Sequence, residues 1–451
     1  MTMNLGNAKL GSQQTTATSS LLGQLRANRD GRRSGIYSIC SANRFVLEAG
    51  VEQARRDASI LLIESTSNQV NQFGGYTGQT PAQFAEYVRE IAASMNFPFD
   101  RIVLGGDHLG PHVWRAGSAP AAMQKACQLV RDCVLAGYTK IHLDASMHLQ
   151  GDPGDPRRAL DDAIVSERAA DLCRAAEQAY QELPEGSPEP IYVIGTEVPI
   201  PGGELADSLA PEVTLSEDVA RTLESAREAF RKRGLLRAWE RVVGIVVQPG
   251  VEFGDSTVVP FDALKARALA GFILSNWHGV YEAHSTDYQS PEALAQLVEN
   301  HFAILKVGPW LTYAFREAVF ALAELEVETL AGRPGVKLSR LRETLDAAMS
   351  AHPAYWKGYT RQDRPDWRAA LVQSYSDRVR YYWPQPDVAS ALALLIFNLR
   401  EHPAPAARVA SFFPEAQGAT SPAPPEALIR GRILRVMDIY ADACGLRANL
   451  G

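Results

Sequence analysis

Residues 102–108 read IVLGGDH: three branched apolar residues, two glycines, then an aspartate beside a histidine. The same design recurs along the chain. Residues 141–144 (IHLD) end in Asp144, 191–197 (IYVIGTE) in Glu197, and 242–248 (VVGIVVQ) in Gln248. Residues 280–284 (VYEAH) end in His284 and residues 302–306 (FAILK) in Lys306. Short apolar runs that each finish in an ionisable or metal-capable side chain are how a (β/α)8 barrel presents an active site, because its chemistry sits at the C-terminal ends of the strands.

Working outward, eight strands are expected at residues 35–40, 59–64, 102–106, 140–144, 191–197, 242–248, 280–284 and 302–307. Segments with helical spacing lie between them, as at 81–95, 121–136 and 164–183. Strands alternating with helices imply a parallel sheet, and eight such units imply closure. From about residue 311 the pattern turns helical, at 312–330, 337–350, 386–400 and 425–443. Residues 402–425, rich in Pro and Ala, read as an extended connection. The chain divides into a polar lead-in (1–33), a barrel (34–310) and a helical C-terminal part (311–451).

Length and composition agree. The 451 residues suit one barrel of ~250–300 residues plus an extension. With 46% hydrophobic and 22% charged residues, a sizeable core is available. A formal charge of −7 argues against nucleic acid as a partner. No run is long enough to span a membrane, and residues 1–33 lack the apolar core of a signal peptide. The five cysteines contain no C-x-x-C pair, which suits reduced thiols in the cytoplasm. No nucleotide-binding G-x-x-x-x-G-K-[ST] loop occurs.

An adjacent Asp107 and His108 can divide labour, the carboxylate moving a proton and the imidazole holding a metal. Glu197 and His284 are the natural further ligands, and one carboxylate with two imidazoles makes a zinc site with an open position. Asp144 and Gln248 stand on intervening strands as substrate or supporting groups. His142, two residues before Asp144, reads as structural. Lys306 could form a Schiff base, but a lysine paired with substrate or with a carboxylate is the simpler reading. Glu64 opens a polar stretch with Asn68 and Gln72 suited to a polyhydroxylated ligand. For phosphate, the loops after strands seven and eight point to Ser285, Thr286 and Gly308, with Arg378 and Arg380 reaching in from the C-terminal part. The long stretches 66–80 and 199–215 are candidates for closure over the site.

The stretches IESTSNQVNQFGGYTGQTP, LGGDHLGP, KIHLDASM, GTEVPIPGG, QPGVEFGD, EAHSTDYQ and YSDRVRYYW resemble the GatZ/KbaZ family, described as the second subunit of class II D-tagatose-1,6-bisphosphate aldolase. The resemblance implies an aldolase-like barrel and a place in galactitol, tagatose or N-acetylgalactosamine catabolism. It implies an Asp–His pair at Asp107 and His108 and a later metal-binding histidine at His284. The middle histidine of the aldolase triad has no counterpart near Gln248, so Glu197 is expected to substitute. Family members include ketose-phosphate 4-epimerases, non-catalytic partners of a separate aldolase subunit, and proteins labelled tagatose-6-phosphate kinase. The expected activity is interconversion of D-tagatose 6-phosphate and D-fructose 6-phosphate, with a divalent metal, zinc by its ligands, and Asp107 or Asp144 as the base. A supporting aldolase subunit is the alternative. The kinase label is set aside for want of a nucleotide loop, and homo-oligomerisation is left open.

Overall fold

A computed structural model of the protein describes residues 16–155, 159–195, 211–357, 359, 367–417 and 423–447. Eight parallel strands close into a barrel. They are β1 (Ile36–Ile39), β2 (Leu61–Thr66), β3 (Ile102–Leu109), β4 (Lys140–Leu143), β5 (Ile191–Ile194), β6 (Val242–Val246), β7 (Val280–Ala283) and β8 (Ile304–Val307). Each pairs with its sequence neighbour, and β8 closes on β1 through Ile36↔Ile304 to Ile39↔Val307. The eight runs became strands because both faces are covered, by the barrel interior on one side and by helices on the other.

The helices are α1 (Ala17–Arg29), α2 (Arg44–Arg56), α3 (Pro81–Ser94), α4 (Ala119–Leu135), α5 (Asp162–Tyr180), α6 (Ser216–Lys232), α7 (Leu236–Trp239), α8 (Ala263–Asn276), α9 (Pro291–Glu299) and α10 (Pro309–Leu330). After these come α11 (Leu341–Ala351), α12 (Trp367–Gln373), α13 (Pro386–Glu401), α14 (Ala406–Phe412) and α15 (Pro425–Ala443). Their boundaries follow local chemistry. Thr80 and Gln83 form a reciprocal capping box at the start of α3, with Pro81 at its first position. The C-terminal helix α15 packs against α9, α10 and α2, so the end of the chain completes the helical wall around the barrel.

Two segments carry structure that their composition hides. The polar lead-in contains α1, which buries Leu21 and Leu25 under the barrel; each such side chain contributes about 1.5–3 kcal/mol of burial. Arg29 at its end donates to the carbonyl of Gly279, just before β7, at 2.7 Å. The Pro/Ala-rich connection contains α14, which Pro405 precedes and which buries Val409.

Barrel interiors are usually filled by branched apolar side chains. Here an apolar contact of Val193 and Val246 is joined by a buried charged layer. That layer is the base of the site.

Candidate active site at the barrel mouth

Register places Glu64 of β2 beside Gly105 of β3, and Gly105 beside Lys140 of β4. Glycine leaves a gap between the two outer strands, and Lys140 Nζ reaches Glu64 Oε1 at 2.6 Å. A Cβ on Gly105 would stand 2.7 Å from that same Oε1. Ser38 Oγ–H donates to Glu64 Oε2 at 2.5 Å, and Lys306 is also paired with Glu64. Lys140 further pairs with Glu282 of β7 at 2.7 Å. Lys306 of β8 lies 3.0 Å from Asp107 and 3.7 Å from Glu282. Glu64, Lys140 and Glu282 have no solvent exposure, so each charge depends on its partners.

Above this layer β3 breaks register with β4 between Gly106 and Leu109. A bulge re-aims the side chains it carries. His108 has φ 48 and Ser285, just past β7, has φ 54. Non-glycine residues in this left-handed region are uncommon and concentrate at functional sites. The bulge lifts His108 until its ring lies 5.3 Å from that of His142 and 4.9 Å from that of His284, centroid to centroid. The third side of the triangle, His142 to His284, is 5.3 Å.

Each imidazole is oriented by its own neighbours. His108 Nδ1 is 2.8 Å from Asp144 Oδ2, and Asp144 Oδ1 accepts from the N–H and the hydroxyl of Ser146. His284 Nε2 is 3.0 Å from Glu282 Oε1. His142 Nδ1 meets Asp107 Oδ1 at 3.0 Å and the peptide N–H of His108 at 3.2 Å. In either tautomer its Nε2 is buried without a hydrogen-bond partner among the described residues.

Burial works against every charge here, and the partners decide the outcome. It opposes ionisation of Asp107, but His108, Lys306 and His142 outweigh it and hold that carboxyl well below the usual range. Asp144 is likewise lowered against burial by its bond to His108, and Glu282 by Lys140 and Lys306. Burial disfavours the Lys306 ammonium, yet Asp107 and Glu64 raise it well above the ordinary lysine value. For His284 burial wins and depresses the imidazole to about 4. For His108 burial loses to Asp107 and Asp144, which raise it.

This donor set fits a divalent cation. Asp107, His142, Glu282 and His284 each offer a ligand atom, all within 4.8 Å of one another, and His108 stands in the same triangle of rings. A metal-ligating histidine normally gives its other nitrogen to a carboxylate, as His108 and His284 do here. Four carboxylates (Glu64, Asp107, Asp144, Glu282) face two ammoniums (Lys140, Lys306) and an imidazole, His108, whose protonation Asp107 and Asp144 favour. The dry site keeps an excess of negative charge that a divalent cation would neutralise. The orphaned Nε2 of His142 lacks the partner such a cation would provide.

A cleft opens over these groups. Asn68, Ser285, Lys306 and Arg380 line it together with Asp107, His108 and His284. Other residues singled out from the sequence are engaged in contacts of their own, although Gly308 also lines the cleft. Glu64 is sealed beneath the cleft. Gln72 turns outward and donates to the carbonyl of Lys125 at 2.9 Å. Gln248 folds back on its own loop, its Oε1 accepting from the N–H of Gly250 at 2.8 Å and of Val251 at 3.0 Å. Arg378 stacks on Tyr359, 3.4 Å from the ring centroid. Thr286 bonds to the carbonyl of Lys306. The Gly308 N–H is taken by Asp287, which also receives the N–H of Trp310. Glu197 and most of the 199–215 stretch lie outside the described residues.

Lys140, Glu282, Tyr76 and Tyr381 belong to the site or its support without having been singled out, and His142, read as structural, stands in the ring triangle. For Lys140, His142 and Glu282 the signal was parity. Lys140, His142 and Asp144, like Glu282 and His284, are two residues apart and so share the inner face of a strand.

The model of the D-tagatose-1,6-bisphosphate aldolase subunit GatZ/KbaZ-like family matches residues 21–445. D-tagatose-1,6-bisphosphate aldolase subunit GatZ from Klebsiella pneumoniae is 46% identical over 424 residues, 92% of this chain and 97% of that one. The crystal structure of a probable tagatose 6 phosphate kinase from Sinorhizobium meliloti 1021 superposes with a TM-score of 0.81 at 40% identity, covering 91% of this chain and 100% of that one. The chain belongs to the D-tagatose-1,6-bisphosphate aldolase subunit GatZ/KbaZ-like family.

Proposed function

We propose that the protein is a metal-dependent ketose-phosphate 4-epimerase that interconverts D-tagatose 6-phosphate and D-fructose 6-phosphate in the cytoplasm. The observation that carries this reading is the triangle of three imidazoles with Asp107 beside it, in a buried site where carboxylates outnumber ammoniums. His108, His142 and His284 would hold the metal, with Glu197 a further ligand proposed from the sequence; nitrogen and carboxylate ligands suit zinc. Bound there, the cation supplies Lewis acidity toward the ketose carbonyl.

The chain's own groups supply the rest. Asp107 is ionised at neutral pH and takes the proton of the C4 hydroxyl as the C3–C4 bond opens. Asp144 is committed to His108 and Ser146, so it serves as the orienting carboxylate. Lys306 stays protonated between Asp107 and Glu64; it steadies the base and is unavailable as a Schiff-base nucleophile, which must be uncharged. Arg380, on the cleft wall, receives the phosphate, with Ser285 and Asn68 toward the sugar hydroxyls. The aldehyde fragment turns its other face and the C3–C4 bond re-forms, inverting C4. Release of the fragment instead would be aldol cleavage.

The description of the Klebsiella relative as an aldolase subunit favours a second reading, that this chain supports a separate class II aldolase subunit. A phosphoryl-transfer role has less support, because the sequence contains no nucleotide-binding loop. The test is proton NMR of the purified protein, alone, with zinc or manganese and D-tagatose 6-phosphate. Formation of D-fructose 6-phosphate that stops on chelation supports the epimerase. No conversion by folded, metal-loaded protein supports the accessory subunit.

A further inference from the structure

Inversion at C4 through bond cleavage poses a geometric demand. When the aldehyde turns, its oxygen swings to the opposite wall of the cleft, and the re-formed C4 alkoxide needs a proton there. A single carboxylate on the floor cannot serve both positions. The structure offers a second group lining the same cleft, whose role rests on the epimerase reading.

Tyr381 lies in the 3₁₀ turn Arg378–Tyr381 and lines the cleft together with Asp107, His108, His284 and Lys306. Its phenol oxygen accepts from Arg380 Nη2 at 3.0 Å and from Arg378 Nη1 at 3.4 Å. Two cationic donors on one phenol oxygen favour its anion. The ring is held by the edge of Tyr76 and the face of Tyr355, both at 4.8 Å between centroids. Asp377 anchors the turn, accepting from Arg316 at 2.7 Å and Thr312 at 2.5 Å. Arg380 is fixed by the carbonyls of Ser376 and Asp377. The titratable and charged groups around the phenol are therefore Arg378, Arg380 and Asp377 on its own turn, Tyr76 from the loop after β2, and Tyr355 and Tyr359 from the segment after α11. Burial pushes the phenol up, and the two guanidiniums outweigh it and bring it below its ordinary value.

We propose that Tyr381 is the second proton-transfer group of the cleft, serving the C4 oxygen of one epimer while Asp107 serves that of the other. The protons balance. Asp107 takes the C4 hydroxyl proton of the first epimer as the C3–C4 electron pair passes to the enediolate. After the aldehyde turns and the bond re-forms, the C4 oxygen takes the phenol proton of Tyr381. The proton on Asp107 then returns to the phenolate through solvent, and the reverse reaction uses the two groups in the opposite order.

The test compares the full-length protein with Tyr381→Phe. First, without substrate, tyrosinate absorbance is titrated as a difference spectrum, since the chain has fifteen tyrosines. The wild type is expected to show one tyrosine ionising below the ordinary value that the variant lacks. Second, with metal bound, interconversion in the variant is expected to fall about 10²–10⁴-fold, the usual contribution of a proton-transfer group. Hydrazine trapping of the aldehyde is expected to persist from one epimer and vanish from the other. If Tyr381→Phe misfolds, Arg378→Gln keeps the phenol and removes one cation; it is expected to move the alkaline limb of the pH–rate profile upward. An active wild type with an unimpaired Tyr381→Phe, or with no low-ionising tyrosine, overturns this inference alone. A wild type inert toward both sugars overturns the epimerase reading with it.

Discussion

Gly105→Ala reverses the usual sign of its substitution type. At an ordinary backbone conformation alanine gains about 0.4–1 kcal/mol by restricting the unfolded chain, and Gly105 is not among the positive-φ residues. Here the new Cβ would meet Glu64 Oε1 at 2.7 Å and its Cγ at 2.8 Å. Glu64 cannot retreat, because Ser38, Lys140 and Lys306 hold it from three strands. Overpacking costs about 1–3 kcal/mol, and breaking a buried ion pair on one side about 3–5 kcal/mol. Lys140 keeps Glu282, so a net loss of about 3 kcal/mol is expected, the low end of the ion-pair range. Unfolding entropy of about 2.1 cal/mol/K per residue over 451 residues is about 0.95 kcal/mol/K, so the midpoint should drop by about 3 °C. The assay is denaturant unfolding and calorimetry of metal-stripped protein, with Glu64→Ala and the double variant completing a cycle. Removing Glu64 removes the clash, so the two changes should be coupled by about 1–3 kcal/mol. A Gly105→Ala protein as stable as wild type, or strict additivity in the cycle, refutes the reasoning.

Three further predictions address the site. His142→Ala, which deletes the nitrogen left without a partner, should lower divalent-metal affinity at least about 10-fold; equilibrium dialysis with elemental analysis reads it, and unchanged affinity removes His142 from the ligand set. Lys306 is held protonated by Asp107 and Glu64, so borohydride added with substrate should leave the chain mass unchanged, and a covalent adduct on Lys306 would restore the Schiff-base mechanism. Burial pushes the Asp287 carboxyl up to about 6 from an ordinary 3.8, so the folded protein keeps this proton where the unfolded chain loses it. That contribution is present in acid and fades as pH rises from about 4 to 6, a penalty on the order of 3 kcal/mol above that window. Asp287→Asn keeps an oxygen for the N–H groups of Gly308 and Trp310, so it should gain stability relative to wild type across that window in pH-dependent unfolding; parallel profiles would contradict this.

The fold was legible because its strands are apolar runs that end in chemistry, and both periodicity and run ends survive in one dimension. The charged floor was less legible. Lys140 and Glu282 sit inside strand-like runs, and their pairing across Gly105 and with Lys306 depends on barrel stagger, which no local pattern encodes. His142 illustrates the same limit. Its parity with Asp144 is visible in the sequence, but its height relative to His108 is set by the bulge in β3, a register break between two strands. Gln72 and Gln248 looked like ligands by composition, and each satisfies a nearby backbone group instead, the commonest fate of a loop amide. Arg380 and Tyr381 were visible as an aromatic, basic stretch, but their place over the mouth is fixed by the buried Arg316–Asp377 pair, a contact between segments 61 residues apart.

Central to the proposed mechanism is inversion of C4 by opening and re-forming the C3–C4 bond at the barrel mouth. The most direct measurement is to run the D-tagatose 6-phosphate reaction in D₂O with metal-loaded protein and read C4 of the product by NMR. Bond cleavage never removes the hydrogen on C4, so D-fructose 6-phosphate should form with protium retained there, and only while metal is bound. Deuterium at C4, or conversion that survives chelation, would contradict the mechanism.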